Sequence, residues 1–218
     1  MPDLSSQPSF RQLESSKGAE FDAFISIYAK SLSLREQKPR SEIELLPSRS
    51  DYSIVLLEVG GRIIGFTILF VPSKEDFCLL EYMAIHEEYR SFGFGAALFK
   101  YAFQDTHTRW GARFGLLEVD SERELCQDLE TRQRRQNFYR RLGCRRIKGL
   151  AYQLPLAGQG PPPKMDLLVY SSLAMPDISE SQLRQWLKTI YEQVYHCSPD
   201  DPRIDMMMAG ISGTVQLG

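Results

Sequence analysis

Apolar and polar positions change period several times along this chain, and each change marks an element. Residues 1–8 are polar and proline-containing and predict loose chain, after which Phe10 to Leu13 predict a short first strand. Phe21, Phe24, Ile25, Tyr28 and Leu32 are spaced for one face of a helix. A second helix is predicted after Pro39, through Ile43 and Leu46. Ser53–Val59 and Arg62–Val71 are β-rich runs on either side of Gly60-Gly61, the signature of a hairpin. Phe77–Ile85 is apolar on both faces, as a central strand should be. A helix over about 93–110 follows, then a strand over Phe114–Val119 and a helix that starts near 122 or 128 and runs to Leu142. Arg145–Leu150 and Met165–Ser171 read as strands that bracket a Gly- and Pro-rich loop from Pro155 to Lys164.

The last part of the chain has its own pattern. Ser179 with Gln182 makes a capping box. Leu183, Trp186, Leu187, Ile190, Tyr191 and Val194 form an apolar stripe that either packs on the domain or forms a dimer surface. The organisation expected is a loose N-terminus (1–8), a main domain (9–172) and a helical extension (173–218).

Composition narrows the class. The chain has 218 residues, 43% hydrophobic and 25% charged, as in an ordinary globular protein. Its net charge is −2 at pH 7, so no global field draws it to nucleic acid. Cys78, Cys126, Cys144 and Cys197 lack metal-ligand or redox spacing, and Cys78 and Cys144 read as small buried hydrophobes. No apolar run approaches membrane-spanning length. The expectation is a soluble, cytoplasmic protein with no membrane partner and no metal.

The most informative stretch is Arg90-Ser91-Phe92-Gly93-Phe94-Gly95. It follows an apolar strand and opens a helix whose Phe94, Ala97, Leu98, Tyr101 and Ala102 share one buried face. Backbone N–H groups at a helix start have no intrahelical partners, and the helix dipole is positive there. Glycine lets the backbone approach an anion closely. Strand, glycine turn, arginine and helix together describe a pyrophosphate cradle. No Gly-Lys-Ser/Thr follows, so it is not a P-loop, and the third glycine of the dinucleotide fingerprint is missing. Further on, Phe138-Tyr139-Arg140-Arg141-Leu142-Gly143-Cys144 closes a helix with glycine and enters a short strand.

Taken together, Ile85 to Gly95 and Tyr139 to Cys144 resemble the two ordered motifs of the GNAT superfamily of acyl-CoA-dependent N-acetyltransferases. The resemblance covers roughly residues 8 to 172. Ile85 stands for the family's valine, Glu87 for its proline and Cys144 for its phenylalanine. Arg132 occupies a position that is asparagine in many relatives, and the stretch between Val119 and Tyr139 is longer than usual. The resemblance implies an α/β fold, a GNAT-like twisted mixed β-sheet of six to seven strands flanked by helices and splayed near Ile85. It implies acetyl-CoA as co-substrate, bound by Met83 and Ile85 on the strand and by Arg90, Ser91, Phe92, Gly93, Phe94, Gly95 and Ala96 in the loop.

Acetyl transfer from a thioester to an amine needs a held donor, a deprotonated amine, a stabilised oxyanion and a protonated leaving thiolate. Tyr139 occupies the family tyrosine position and is the candidate general acid, because a phenol is protonated at neutral pH. Two glutamates compete as base. Glu81 shares a strand face with Met83 and Ile85 by period-two counting. Glu118 lies in Leu116-Leu117-Glu118-Val119, which matches a strand bearing a catalytic glutamate in some amine-acetylating relatives. His86, His107 and His196 have no partners at catalytic or metal spacing.

Charge is segregated in one region. Between Thr131 and Lys148 every ionisable side chain apart from Tyr139 and Cys144 is basic, while residues 118–130 are rich in Asp and Glu. Asp128/Arg132 and Glu130/Arg134 fit helical i, i+4 pairing in the favourable order. Contact with donor phosphates or nucleic acid is the other reading of this face. The function expected is acetylation of a small-molecule primary amine by direct attack in a ternary complex, since no cysteine stands where an acyl carrier would. The alternatives are protein or peptide N-acetylation, and a non-catalytic acyl-CoA-binding module on the same scaffold.

Overall fold

The computed structural model describes residues 6–34, 36–123, 126, 128–155 and 164–218. Of the expected loop from Pro155 to Lys164, residues 156–163 lie outside these, as do the first five residues. Two compact units divide the chain at Ala112/Arg113.

The first unit is an antiparallel meander with two helices against it. Strands β1 (Ser9–Gln12), β2 (Tyr52–Val59), β3 (Arg62–Phe70) and β4 (Phe77–Ile85) pair in sequence order. Gly60 and Gly61 take φ of 57° and 76° at the β2–β3 turn. That double left-handed turn is the one whose twist matches a two-residue hairpin, and it explains why two glycines stand there. Helix α1 (Ala19–Ser31) buries Phe21, Phe24, Ile27 and Tyr28, with Phe24 edge-on to Phe66 of β3 at 4.9 Å. Ile27 rather than Ile25 completes this face. A short helix α2 (Arg40–Leu45) follows, with Ile43 fully buried.

Helix α3 (Phe94–Trp110) buries Leu98, Phe99, Ala102 and Phe103. It approaches β3 at Gly65, next to the Phe66 that faces α1, so the meander is covered on both faces. Gly65 permits that approach. A Cβ there would lie 2.5 Å from Ile85 Cδ1 and 2.9 Å from the Ala84 carbonyl oxygen.

The β3–β4 pairing carries an irregularity that period-two counting does not anticipate. Ile68 pairs with Tyr82, and the next residue, Leu69, pairs with Leu80. Glu81 is therefore the extra residue of a β-bulge, a feature that re-aims a side chain locally.

In the second unit β5 (Phe114–Asp120) pairs antiparallel with β7 (Met165–Tyr170), and β7 pairs with β6 (Arg145–Arg146). Helix α4 (Leu129–Arg141) ends where Gly143 takes φ 94°. Its Gln136 and the side chain of Arg123 both donate to Asp166 of β7, at 3.2 and 2.6 Å. The expected strand over Arg145–Leu150 is shorter than its pattern. Beyond Arg146 the chain is claimed by another segment: Arg146 and Gly218 exchange backbone hydrogen bonds at 2.8 and 2.9 Å, and Lys148 N donates to Gln216 O at 2.8 Å. Gly149, at φ 80°, then turns against Gly210.

Helices α5 (Glu180–Gln193) and α6 (Pro202–Met208) complete this unit. Ser179 caps α5 by accepting from Gln182 N at 3.1 Å. The apolar stripe is buried within the unit: Trp186 packs on Phe114 with ring centres 4.8 Å apart. Leu183, Leu187 and Ile190 have no exposed area, each contributing roughly 1.5–3 kcal/mol of burial. Among the described residues no helix is long and apolar enough to cross a membrane.

Gly65→Ala should lower the unfolding free energy by about 1–3 kcal/mol, measured by urea denaturation, because the new methyl presses on Ile85 and the Ala84 carbonyl. Adding Ile85→Val, which removes the clashing Cδ1, should recover part of the loss.

Candidate active site

The glycine turn belongs to the first unit and grows out of the end of β4. His86 N donates to Ile64 O at 2.7 Å, fixing the strand end to β3. A 3-10 turn over Glu87–Tyr89 follows, with Tyr89 buried. The Arg90 side chain folds back and donates from Nε to Ile85 O at 3.0 Å. The chain then adopts left-handed backbone twice, at Ser91 (φ 69°) and Gly93 (φ 86°). Gly93 is the N-cap of α3 and offers no side-chain cap, and no acidic residue occupies the first turn. Among the described residues nothing lies within 4 Å of where a Gly93 Cβ would be. The leading N–H groups of α3 thus start an uncapped, seventeen-residue helix, an arrangement suited to an anion. Phe92 is 52% exposed beside it. Met83 and Ile85 are half-buried and pair with Thr67 and Gly65.

Glu81 does not stand alone in the strand. Its Oε1 accepts from the Tyr52 hydroxyl at 2.6 Å, and its Oε2 lies 2.7 Å from Lys38 Nζ. The carboxylate side chain is only 4% exposed. The neighbouring Tyr82 donates its hydroxyl to Glu36 O at 2.8 Å, and Tyr28 accepts from Lys38 N at 2.8 Å. Because of the bulge, Glu81 and Tyr82 both reach the 36–38 segment. Burial, with the negative charge of Glu81 adding to it, pushes the Tyr52 phenol far above its ordinary range.

In the second unit, both oxygens of Glu118 are also occupied. Tyr152 donates to Oε1, and Tyr195 donates to Oε2 at 2.6 Å. Tyr152 is 2% exposed, and burial together with the Glu118 charge raises its phenol well above normal. Tyr139, on α4, is partly covered, and burial pushes its phenol up to about 12, with Arg135 opposing and Cys144 reinforcing the rise. It is protonated at neutral pH, as a general acid must be. Burial likewise pushes the thiols of Cys78 and Cys144 up to about 12.

The basic face of α4 is paired as helical spacing suggested. Arg132 meets Asp128 at 3.1 Å and Arg134 meets Glu130 at 2.5 Å, while Arg135 reaches Asp120 at 2.9 Å. Among the described residues no group of His, Cys, Asp and Glu is arranged to hold a metal.

Residues 50–145 match the family pattern of the acetyltransferase (GNAT) domain, a span that contains β4, the glycine turn, α3 and Tyr139. Those 96 of the 218 residues carry the family likeness. That match supports an acyltransferase. A Bacteroides thetaiotaomicron protein assigned to the GNAT acetyltransferase family matches with TM-score 0.66 at 20% identity, over 86% of this chain and 98% of its own. An aminoglycoside 6'-N-acetyltransferase complexed with coenzyme A matches with TM-score 0.59 at 16% identity, over 78% and 99% of the two chains. The Escherichia coli ribosomal-protein-S18-alanine N-acetyltransferase matches with TM-score 0.56 at 16% identity, over 79% and 99%. At these identities the likeness is one of fold. A comparison with curated protein sequences finds no match.

Four residues around the two glutamates carry no signal in the sequence: Lys38, Tyr52, Tyr152 and Tyr195. None has a spacing that ties it to its carboxylate, since each comes from a distant element. The ion pair at Glu81 yields a direct test. Lys38→Ala should cost about 3 kcal/mol of stability, because it strands a buried charge. Lys38→Met combined with Glu81→Gln should restore most of it. A loss under about 0.5 kcal/mol for Lys38→Ala in urea unfolding, the size of a surface pair, would show that the pair anchors nothing.

Proposed function

We propose that the protein is an N-acetyltransferase that moves the acetyl group of acetyl-CoA onto a primary amine of a small molecule, by direct attack in a ternary complex. The observation that carries this reading is the glycine turn: a left-handed Gly93 opening the uncapped α3, inside the span that matches the family. The loop from Arg90 to Ala96 would hold the pyrophosphate, with Met83 and Ile85 along the pantetheine arm.

The chemistry follows from the groups available. A carboxylate takes a proton from the acceptor ammonium, and the freed nitrogen attacks the thioester carbonyl carbon. The carbon–sulfur bond then breaks, its electron pair leaves on sulfur, Tyr139 protonates the thiolate, and the acylated nitrogen gives up its second proton, which restores the Tyr139 phenol. The products are the N-acetyl amine and coenzyme A.

A small acceptor is supported by the length of the stretch after Val119, by the Gly- and Pro-rich sequence from Pro155 to Lys164, and by the aminoglycoside-acetylating neighbour. The second reading is a protein N-terminus. It is favoured by the Leu116-Leu117-Glu118-Val119 strand and by the neighbour that acetylates an alanine of ribosomal protein S18. The cysteines are free thiols, which supports a reducing, cytoplasmic setting.

Calorimetric titration with acetyl-CoA should give saturable binding to the wild type and at least about tenfold weaker binding to Gly93→Trp. Absence of binding to folded wild type would reduce the glycine turn to a structural feature. Coenzyme A release with kanamycin, spermidine and an alanine-terminated peptide then separates the acceptor classes. Acetylation of the peptide alone would replace the small-molecule reading with the protein one. With the accepted amine, Tyr139→Phe should lower kcat by about 10²-fold.

A further inference from the structure

We infer that the segment after residue 172 supplies a positioning residue to the reaction: Tyr195, acting with Tyr152, holds the Glu118 carboxylate ready to take the acceptor's proton. This rests on the acetyltransferase reading above.

The two candidate carboxylates differ in what occupies their oxygens. Glu81 faces an ammonium at 2.7 Å and a phenol at 2.6 Å and is nearly inaccessible. Its charge is compensated where it stands, and taking up a proton would cost it the ion pair. Glu118 is held by two phenols, Tyr152 on Oε1 and Tyr195 on Oε2. Phenol donors on both oxygens fix the plane of a carboxylate. Such a group is oriented at both oxygens.

The two phenols are supported unequally. Tyr152 is buried and follows β6. Tyr195 is half-buried and comes just after α5, from the part of the chain outside the span that matches the family. Its place depends on the buried face of α5. Val194, beside it, is buried, and Tyr191, whose ring centre lies 6.3 Å away, is tied to Gln153 O at 2.6 Å. Arg203 from α6 lies over the Tyr191 ring at 5.4 Å. The hydroxyl that reaches Glu118 is therefore carried by the turn that closes α5, where Tyr195 N donates to Ile190 O at 3.3 Å beside the buried face of the helix.

The experiment compares wild type, Tyr195→Phe, Glu118→Gln and the double variant, each checked for native melting. Acetyl-CoA affinity is read by calorimetry, and kcat and KM are measured with whichever of kanamycin, spermidine or the alanine-terminated peptide the wild type acetylates fastest. Tyr195→Phe should lower kcat by about tenfold or more, while affinity and KM for acetyl-CoA stay within about twofold. In the Glu118→Gln background the same change should have no further effect, because the two residues act as one unit. Tyr152→Phe should reproduce the kcat loss from the other oxygen. A wild-type kcat in Tyr195→Phe overturns the inference, and so does an undiminished loss in the Glu118→Gln background. If the wild type binds acetyl-CoA but acetylates none of the probes, the inference falls while the donor site stands. If it binds no acetyl-CoA, the functional reading falls with it.

Discussion

The first unit is organised around one backbone constraint: β4 must stop at Ile85 and α3 must begin nine residues later with its leading N–H groups bare. That requires the chain to enter the left-handed region before the helix starts. Gly93 does so at φ 86° with little strain, whereas Ser91 does so at φ 69° against the Cβ penalty of an L-residue. The strain is offset by anchors in the residues just before the turn. His86 N is bonded to Ile64 O, Arg90 Nε is bonded to Ile85 O, and Tyr89 is buried beneath the turn. A side-chain cap at Gly93 would satisfy one of the free N–H groups and occupy the space an anion needs. Glycine at this position thus serves both the turn and the emptiness of the helix end.

Carboxylates in covered strands are the second constraint. An isolated buried carboxylate costs several kcal/mol unless its oxygens are satisfied. The protein meets this twice with different partners. At Glu81 the cost is offset by an ammonium and a phenol, and the arrangement ties the 36–38 segment to β4. The β-bulge makes this possible, since it lets consecutive residues Glu81 and Tyr82 reach the same segment. At Glu118 two hydroxyls provide the satisfaction.

Much of the fold was legible because its signals are local. The Gly60-Gly61 hairpin, the apolar run of β4 and the Ser179 cap each follow from neighbours a few residues apart. The i, i+4 pairs of α4 are local too, and Asp128–Arg132 and Glu130–Arg134 form as spacing suggests. The glycine turn was legible for the same reason, since strand end, turn and helix start are contiguous. What sequence could not supply was register. The bulge at Glu81 depends on how β3 and β4 slide past each other, and no residue type there announces it. The partners of Glu81 and Glu118 arrive from sequence separations of 29 and 34 for Tyr52 and Tyr152, and of 77 for Tyr195. Side-chain pairing over such distances is decided by packing, not by pattern. The short β6 has the same origin, because its outer edge is taken by residues at the far end of the second unit.

That edge gives the segment after residue 172 a structural role in the second unit. A two-residue strand with an open side is a weak element and a template for stray pairing. Backbone bonds from Arg146 and Lys148 to Gly218 and Gln216 cover it, and the Ser179↔Thr214 bridge ties the same stretch to the start of α5. Gly149 and Gly210 allow the backbones to approach where a Cβ on either would come within 2.7 Å of the other's carbonyl oxygen. The segment therefore closes on the sheet edge at one end and, through Tyr195, on Glu118 at the other. Loosening either attachment would disturb the other, because the buried face of α5 joins them. Stability of the β6 edge and orientation of the Glu118 carboxylate are thus properties of one packed element.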